Sequence, residues 1–485
     1  MSEKPITKET PIKGKDKTAA VIMSAVFVAL LVGATVLNGE VLRGYTYSHY
    51  LNKIYLYLIA GGVFACSFVI LAGFMFINYR EGLKNKRIFA ATGTAIVLNY
   101  VIFLAAGYLS VYAMPLCFAA ILVSSLVDRR LGFTVNLVCV LQFFTYALLT
   151  IDAGAGADSG MLFAASLIGA CSILFNIVSM GRINRNTGRA GFIAYLLLFS
   201  VMIMPPALLL TLLYGETLGD FAFDLLYLAI GAFAQILLLL FFIPLMERIF
   251  MITTNSRLAE LCDLRQPLLK RLMTEAPATF NHSQTVANLA ESCASALNQN
   301  VYMARAASLY HDIGKLNNIE YFTENQADGT KNPHDDITPE LSAEIIHKHT
   351  MDGFQMAAEA KLPKDLAAIT MEHQGTTVLK YFYDKAKRMT DGDVDMEFYR
   401  YKGAKPTTTI AAIIMICDSS EAAIRAMQSP DKEKVARLVD KIIYDRIADG
   451  QFDNCEVTIK DLAIIRQTIA EMSTGLYHTR IEYPK

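Results

Sequence analysis

Residues 310–315 read Tyr310-His311-Asp312-Ile313-Gly314-Lys315. An adjacent His-Asp pair has a specific chemical use, because the imidazole can ligate one metal ion while the two oxygens of the carboxylate bridge to a second. Isolated pairs arise by chance, but this one sits inside a histidine array. Of the eight histidines, only His49 lies outside residues 282–478. Outward from the pair, the chain offers Asn281-His282-Ser283, Asn332-Pro333-His334-Asp335, His347-Lys348-His349, Glu372-His373-Gln374-Gly375-Thr376 and Ile416-Cys417-Asp418-Ser419. The intervening stretches are amphipathic at helical spacing, as in 283–297 and in 339–360, where Thr338 suits an N-cap and Pro339 the first turn. No alternating run is long enough to propose a sheet, so this region is expected to be all-α.

The composition places the array in its setting. Of the charged residues, 27 fall in 1–245 and 62 in 246–485, about 11% and 26% of each stretch, where an average soluble domain carries roughly 25%. With 54% hydrophobic residues and a mean hydropathy of +0.36, the chain is neither wholly soluble, nor disordered, nor a secreted disulfide scaffold. Its eight cysteines form no CxxC pair, so neither a zinc knuckle nor a dithiol site is suggested. About eight stretches approach the ~20 apolar residues that a spanning helix needs: 18–37, 54–77, 88–108, 112–127, 131–151, 161–180, 190–214 and 221–245, the fourth being short. The first is too long for a signal-peptide core and reads as a retained anchor. If the amino terminus is cytoplasmic, its segments and loops on that side hold 14 cations, among them Arg80, Lys84, Arg129 and Arg182, against Arg43 and Lys53 opposite. This bias puts both termini in the cytoplasm and the polar half in the cytosol. The opposite loops are short, the longest about 38–53, so no external sensor domain is expected within these residues. The span interiors carry amides such as Asn99, Asn136, Gln142, Asn176 and Gln235 rather than charges, which favours interhelical hydrogen bonding over ion transport. Pro205-Pro206 should kink the seventh span, either lining a ligand pocket or merely bending it.

The cytosolic half contains further phrases: Gln266-Pro-Leu-Leu-Lys-Arg-Leu-Met, Glu275-Ala-Pro, His311-Asp-Ile-Gly-Lys, Glu324-Asn-Gln, Asn332-Pro-His-Asp, Met351-Asp-Gly, Asp449-Gly-Gln-Phe-Asp and Tyr477-His-Thr-Arg-Ile. Through these the stretch from about Glu275 to Asp418 resembles the HD metal-dependent phosphohydrolases. The whole half, with its preceding helices, is similar to the seven-transmembrane proteins that carry an intracellular HD domain, a family associated with hydrolysis of cyclic di-AMP. The resemblance implies a polytopic helical bundle followed by a cytosolic all-helical HD domain. It makes His282, His311, Asp312 and Asp418 ligands of one metal, and Asp312, His349 and His373 ligands of the other. Imidazoles and carboxylates suit two divalent ions such as Mn or Fe, with zinc or nickel compatible by ligand type. A hydroxide held between the metals would attack phosphorus, with Asp312 at the centre of the catalytic set and the ribose 3′-oxygen leaving. Lys315, a compact cation, is the natural partner of a non-bridging phosphate oxygen; otherwise it is a solvated lysine after a glycine turn. His347, two residues from His349, points about 200° away on a helix and reads as a surface residue. His334 either contacts substrate or braces its loop.

Relatives in this family often show two histidines before the serine and two before Gly-Thr, where this chain has Asn281-His282 and His373-Gln374. The remaining histidine holds the ligand position each time, while Gln374 replaces an imidazole near the metals or the phosphate and is itself an expected substrate-binding residue, with Lys315 and His334. The Gly-Tyr-Pro phrase of relatives that cleave cyclic di-GMP is absent, which by family analogy favours the adenine dinucleotide. Residues 246–485 hold 28 cations against 34 anions, so a nucleic-acid polymer is not the expected partner; homo-oligomerisation is left open. Tyr321, Phe322, Tyr381, Phe382 and Tyr383 are either base-stacking surfaces or packing residues. The expected organisation is a tail over 1–17, a transmembrane domain over 18–245, a helical linker over 246–275 and an HD phosphohydrolase domain over 276–485. The expected protein is a plasma (inner) membrane phosphodiesterase, multi-pass, that opens cyclic di-AMP to pApA; a nucleotide-binding membrane signalling receptor with a weakly active or inactive HD domain is the alternative.

Overall fold

A computed structural model describes residues 14–38, 51, 53–78, 86–115, 117–152, 218–327, 329–390, 393–427 and 430–476. The expected spans at 161–180 and 190–214, Pro205-Pro206 and the stretch from Tyr477 onward lie outside these. Among the described residues the structure is helical, with one isolated bridge between Val378 and Arg400 in place of a sheet. Two compact units divide between Thr254 and Asn255.

In the first unit, helices α1 (Gly14–Leu37), α2 (Ile54–Asn78), α3 (Lys86–Ala106), α4 (Phe118–Leu126), α5 (Arg129–Asp152) and α6 (Leu218–Phe250) follow one another. All but α4 are long and apolar enough to cross a bilayer, giving five such helices among the described residues. Their contacts combine small residues with aromatic rings. The absent side chain of Gly93 makes room for the Phe27 ring, which a Cβ would meet at 2.1 Å. Thr35 Oγ1 lies 3.0 Å from the Tyr100 hydroxyl, and Phe64 meets Tyr100 edge-on at 5.1 Å between centroids.

The fourth expected span takes a different form. Among the described residues of 112–127 only the nine of α4 are α-helical, after a 3-10 turn at Val111–Ala113. Nine residues rise about 13.5 Å, less than half of a ~30 Å hydrocarbon core. Irregular backbone at such depth is tolerated where protein covers it. Cys117, Phe118, Ala119, Ala120 and Leu122 are fully buried, and Asn99 Oδ1 accepts the Ala119 amide at 3.3 Å.

The second unit comprises α7 (Asn255–Leu261), α8 (Pro267–Glu275), α9 (Pro277–Ala296), α10 (Val301–Tyr310), α11 (Pro339–Glu359), α12 (Lys364–Glu372), α13 (Lys380–Met389), α14 (Thr409–Arg425), α15 (Lys432–Ala448) and α16 (Ile459–Leu476). Residues expected to serve as a linker take part in its core: Leu258, Leu261, Leu269 and Leu272 are buried with Val286, Ile414 and Ile465. Helix starts follow their capping residues. Asn300 Oδ1 accepts the amides of Tyr302 and Met303, and Thr338 caps α11, with Pro339 at its first position. Helix α9 begins at Pro277, six residues before the expected start, again with proline in the first turn.

Between α10 and α11 a 3-10 helix (Ile313–Asn317) lies directly on the backbone of α11. Gly314 permits this approach, since a Cβ there would stand 1.9 Å from the His349 carbonyl oxygen and 2.4 Å from the Gly353 nitrogen. Both neighbours are backbone and cannot rotate away. Gly314→Ala should therefore destabilise the second unit by at least about 1–3 kcal/mol, read as a fall in its melting temperature by circular dichroism. An unchanged transition would contradict the packing described.

Candidate metal centre

Five elements converge on one buried point. His282 comes from the second turn of α9, His311 and Asp312 from the end of α10, His349 from the middle of α11, His373 from the end of α12 and Asp418 from α14. All six residues are buried, none more than 7% exposed. Asp312 stands between two sets of imidazoles. Its Oδ2 lies 3.2 Å from His311 Nε2 and 3.7 Å from His282 Nε2. Its Oδ1 lies 3.5 Å from His349 Nε2 and 3.6 Å from His373 Nε2. Asp418 Oδ1 completes the first set, 2.9 Å from His282 Nε2 and 3.7 Å from His311 Nε2.

The hydrogen bonds behind the rings fix their tautomers. Nδ1 of His311 bonds the Ser308 carbonyl at 2.7 Å, that of His349 the Ile346 carbonyl at 2.6 Å, and that of His373 the Thr370 carbonyl at 2.8 Å. A carbonyl oxygen only accepts, so each Nδ1 carries a proton and each Nε2 is the ring atom turned inward. In every case the carbonyl belongs to the residue three positions earlier. His282 differs: its Nδ1 meets the Glu421 carboxylate, and Arg425 Nη2 stands 3.8 Å from the same oxygen.

This donor set fits metal ions better than it satisfies itself. His349 Nε2 and His373 Nε2 are 3.1 Å apart, two inward lone pairs that a cation between them would reconcile. His311 Nε2 and Asp312 Oδ1 are buried without a hydrogen-bond partner, a state that costs folding free energy unless another ligand takes it up. Ligand atoms close enough to share an ion occur in His282, His311 and Asp418, and in His311, Asp312 and His373. Electrostatics divide the two sides. Burial opposes charge on His311, yet the Asp312 and Asp418 carboxylates lift its pKa to about 10. Burial also opposes the Asp312 charge, but His311 and Lys315 hold that carboxyl well below its ordinary range. His349, with burial dominant, is pushed down to about 3 and stays neutral.

A cavity of about 610 Å³ opens over His282, Lys315, Glu324, Gln374 and Asp418. Lys315 Nζ is held 2.8 Å from Asp312 Oδ2 and 2.7 Å from Glu324 Oε1, with the Phe322 ring 5.0 Å away. Gln374 donates through Nε2 to Asp418 Oδ2 at 2.7 Å. It thereby fixes the orientation of the Asp418 carboxylate. His334 is buried beside the Phe382 and Tyr321 rings, bonds the Tyr321 carbonyl through Nε2 at 2.9 Å and is not among the residues lining the cavity. His347 is not at the surface as expected. It is 7% exposed, bonds the Tyr399 carbonyl at 3.2 Å and packs on Tyr401, because a segment some fifty residues further along folds over it. Of the aromatic candidates, Phe322 and Phe382 are buried packing residues while Tyr381 is 64% exposed. Glu421 lies in none of the motifs, and Glu324, which stands in the Glu324-Asn-Gln phrase, gains a role as the partner of Lys315. Glu421 had a signal, one helical turn beyond Asp418 on the same face of α14.

The HD domain family model matches residues 279–423, and the model of the 7TM receptor with intracellular HD hydrolase matches residues 54–254. The chain is 39% identical over 375 residues to the cyclic-di-AMP phosphodiesterase PgpH of Listeria monocytogenes, covering 77% of this chain and 50% of that protein. It is 36% identical over 380 residues to the protein of the same name from Bacillus subtilis, covering 77% of this chain and 51% of that one. The chain thus spans about half the length of these curated relatives. The crystal structure of the L. monocytogenes PgpH HD domain is 46% identical, with a TM-score of 0.42, covering 44% of this chain and all of that one.

The carboxylate behind His282 generates a direct prediction. Glu421→Gln should keep the fold and weaken metal retention about 10–100-fold, read by competition with a chelator. Unchanged retention would show that Glu421 does not orient the ring.

Proposed function

Because this chain belongs to the family of seven-transmembrane receptors with an intracellular HD hydrolase domain, we propose that it is a membrane-bound, metal-dependent phosphodiesterase that hydrolyses cyclic di-AMP to linear pApA. The observation that carries this reading is the Asp312 carboxylate, one oxygen facing His282 and His311, the other facing His349 and His373. The relatives' names point to the adenine dinucleotide.

The residues that would hold two divalent ions, Mn or Fe, are His282, His311, Asp312 and Asp418 on one side and Asp312, His349 and His373 on the other. Such a pair lowers the pKa of water at neutral pH and clamps phosphate oxygens during in-line displacement. The chain's own groups prepare that chemistry. The Nδ1 hydrogen bonds hold the rings in one tautomer, so no reorganisation is needed as ligands engage. Gln374 and Glu421 fix Asp418 and His282 in orientation. Lys315 keeps Asp312 ionised and adds positive charge at the cavity wall, where a phosphoryl group would develop negative charge. His334 braces the loop between the 3-10 helix and α11, since Lys385 Nζ donates to its carbonyl at 2.8 Å. The bias of Lys and Arg among the loops supports cytoplasmic termini and a plasma-membrane location, with the HD domain, placed from about 276 onward, in the cytosol.

Turnover of the full chain in detergent or nanodiscs tests the reading, with cyclic di-AMP and cyclic di-GMP offered in parallel with Mn or Fe. The expected result is selective release of pApA. Asp312→Asn and His311→Ala should each lower the rate by on the order of 10³-fold or more while the protein still inserts in membranes. Retained hydrolysis by either folded variant would assign the activity elsewhere. Two bound metals without cleavage of either nucleotide would favour the receptor.

A further inference from the structure

The cavity wall beyond the metal-facing residues carries a cation that those residues do not use. Arg446, on α15, lines the same cavity as His282 and Asp418. One nitrogen is anchored: Nη2 donates to Ser419 Oγ at 3.0 Å, and Ser419 directly follows Asp418. Its Nε is buried and has no hydrogen-bond partner among the described residues. No carboxylate among those residues lies within ion-pair distance of the guanidinium. Asp445 precedes Arg446 on α15 without forming an ion pair with it, and Asp449, at the end of the helix, is taken by Arg400 at 2.9 Å and by Gln451 Nε2 at 2.8 Å. Glu324, across the cavity, is held by Lys315. Burial lowers the Arg446 pKa although Asp418, Asp449 and Asp445 act against the shift, so the partly buried guanidinium has acidic residues in its surroundings but no direct ion pair. Arg425 lines the cavity as well, at an exposed position.

A planar fork with an open donor is the group that recognises phosphate best. A cyclic dinucleotide brings two phosphodiesters, and only one can sit at the metal centre. The other needs a cation of its own, because residues 246–485 carry a net excess of six anions. We propose that Arg446 receives the non-scissile phosphate of the cyclic dinucleotide, with Arg425 guarding the rim, so that this arginine selects a substrate with two phosphates over a simple phosphodiester. The inference rests on the phosphodiesterase reading above.

The test compares cyclic di-AMP with bis(p-nitrophenyl) phosphate, which has a single phosphodiester, on the metal-loaded full chain. Arg446→Met should raise KM for cyclic di-AMP at least about tenfold with kcat changed by less than about threefold, and should affect the single diester far less. Arg446→Lys, which keeps the charge and loses the fork, should fall between the two and covers the case in which the methionine variant does not fold. A KM for cyclic di-AMP within twofold of the parent in either folded variant overturns the assignment. So does a parallel loss on both substrates together with loss of bound metal, which would mark a structural residue. A parent chain that cleaves bis(p-nitrophenyl) phosphate but not cyclic di-AMP would instead sink the phosphodiesterase reading, and this inference with it.

Discussion

An ionised carboxylate in a dry interior is the constraint on which the second unit is built. Asp312 is 1% exposed, and such a charge is tolerated only when opposite charges or strong donors surround it. Its surroundings come from distant parts of the chain: His282 from α9, His349 from α11, His373 from α12 and Lys315 from the turn after it. The requirement reaches the backbone too. To bring Lys315 back onto Asp312 within one 3-10 turn, the chain must press against α11 at Gly314, where only hydrogen fits. The phrase His-Asp-Ile-Gly-Lys therefore states one packing problem: a buried imidazole, a buried carboxylate, a buried apolar side chain, a close approach and a counter-ion.

The same logic explains why the histidines converge at helix interiors and ends. Each of His311, His349 and His373 donates to the carbonyl three residues back, a bond available only in a helical turn. Helix geometry thus supplies the tautomer and the aim. His282, whose ring instead turns to Glu421, depends on a side chain of another helix, and this couples α9 to α14 through the centre itself.

Much of this was legible in the residues, and the parts that were not share a cause. The Thr338 cap and Pro339 set the start of α11, because capping is local. The division of the chain into apolar and polar halves followed from charge density, since a bilayer excludes charge over long stretches. Hydropathy alone could not show that the fourth apolar stretch holds only a nine-residue helix, because a buried broken segment and a continuous span have the same composition. His347 read as a surface residue on helical periodicity. Its partners, Tyr399 and Tyr401, arrive from a loop that periodicity does not place. Gln374 read as the loss of a histidine, whereas its amide hydrogen-bonds Asp418, a contact set by tertiary packing alone. Arg446 carries no motif, and its meaning lies in what surrounds it.

Asp312 is proposed to hold two metal ions, one toward each carboxylate oxygen. Anomalous diffraction at the Mn edge, from crystals of the Mn-loaded chain, tests it most directly. The account predicts two peaks flanking the Asp312 carboxylate, one among His282, His311 and Asp418 and the other between His349 and His373. A single peak, or two that do not share Asp312, would contradict it.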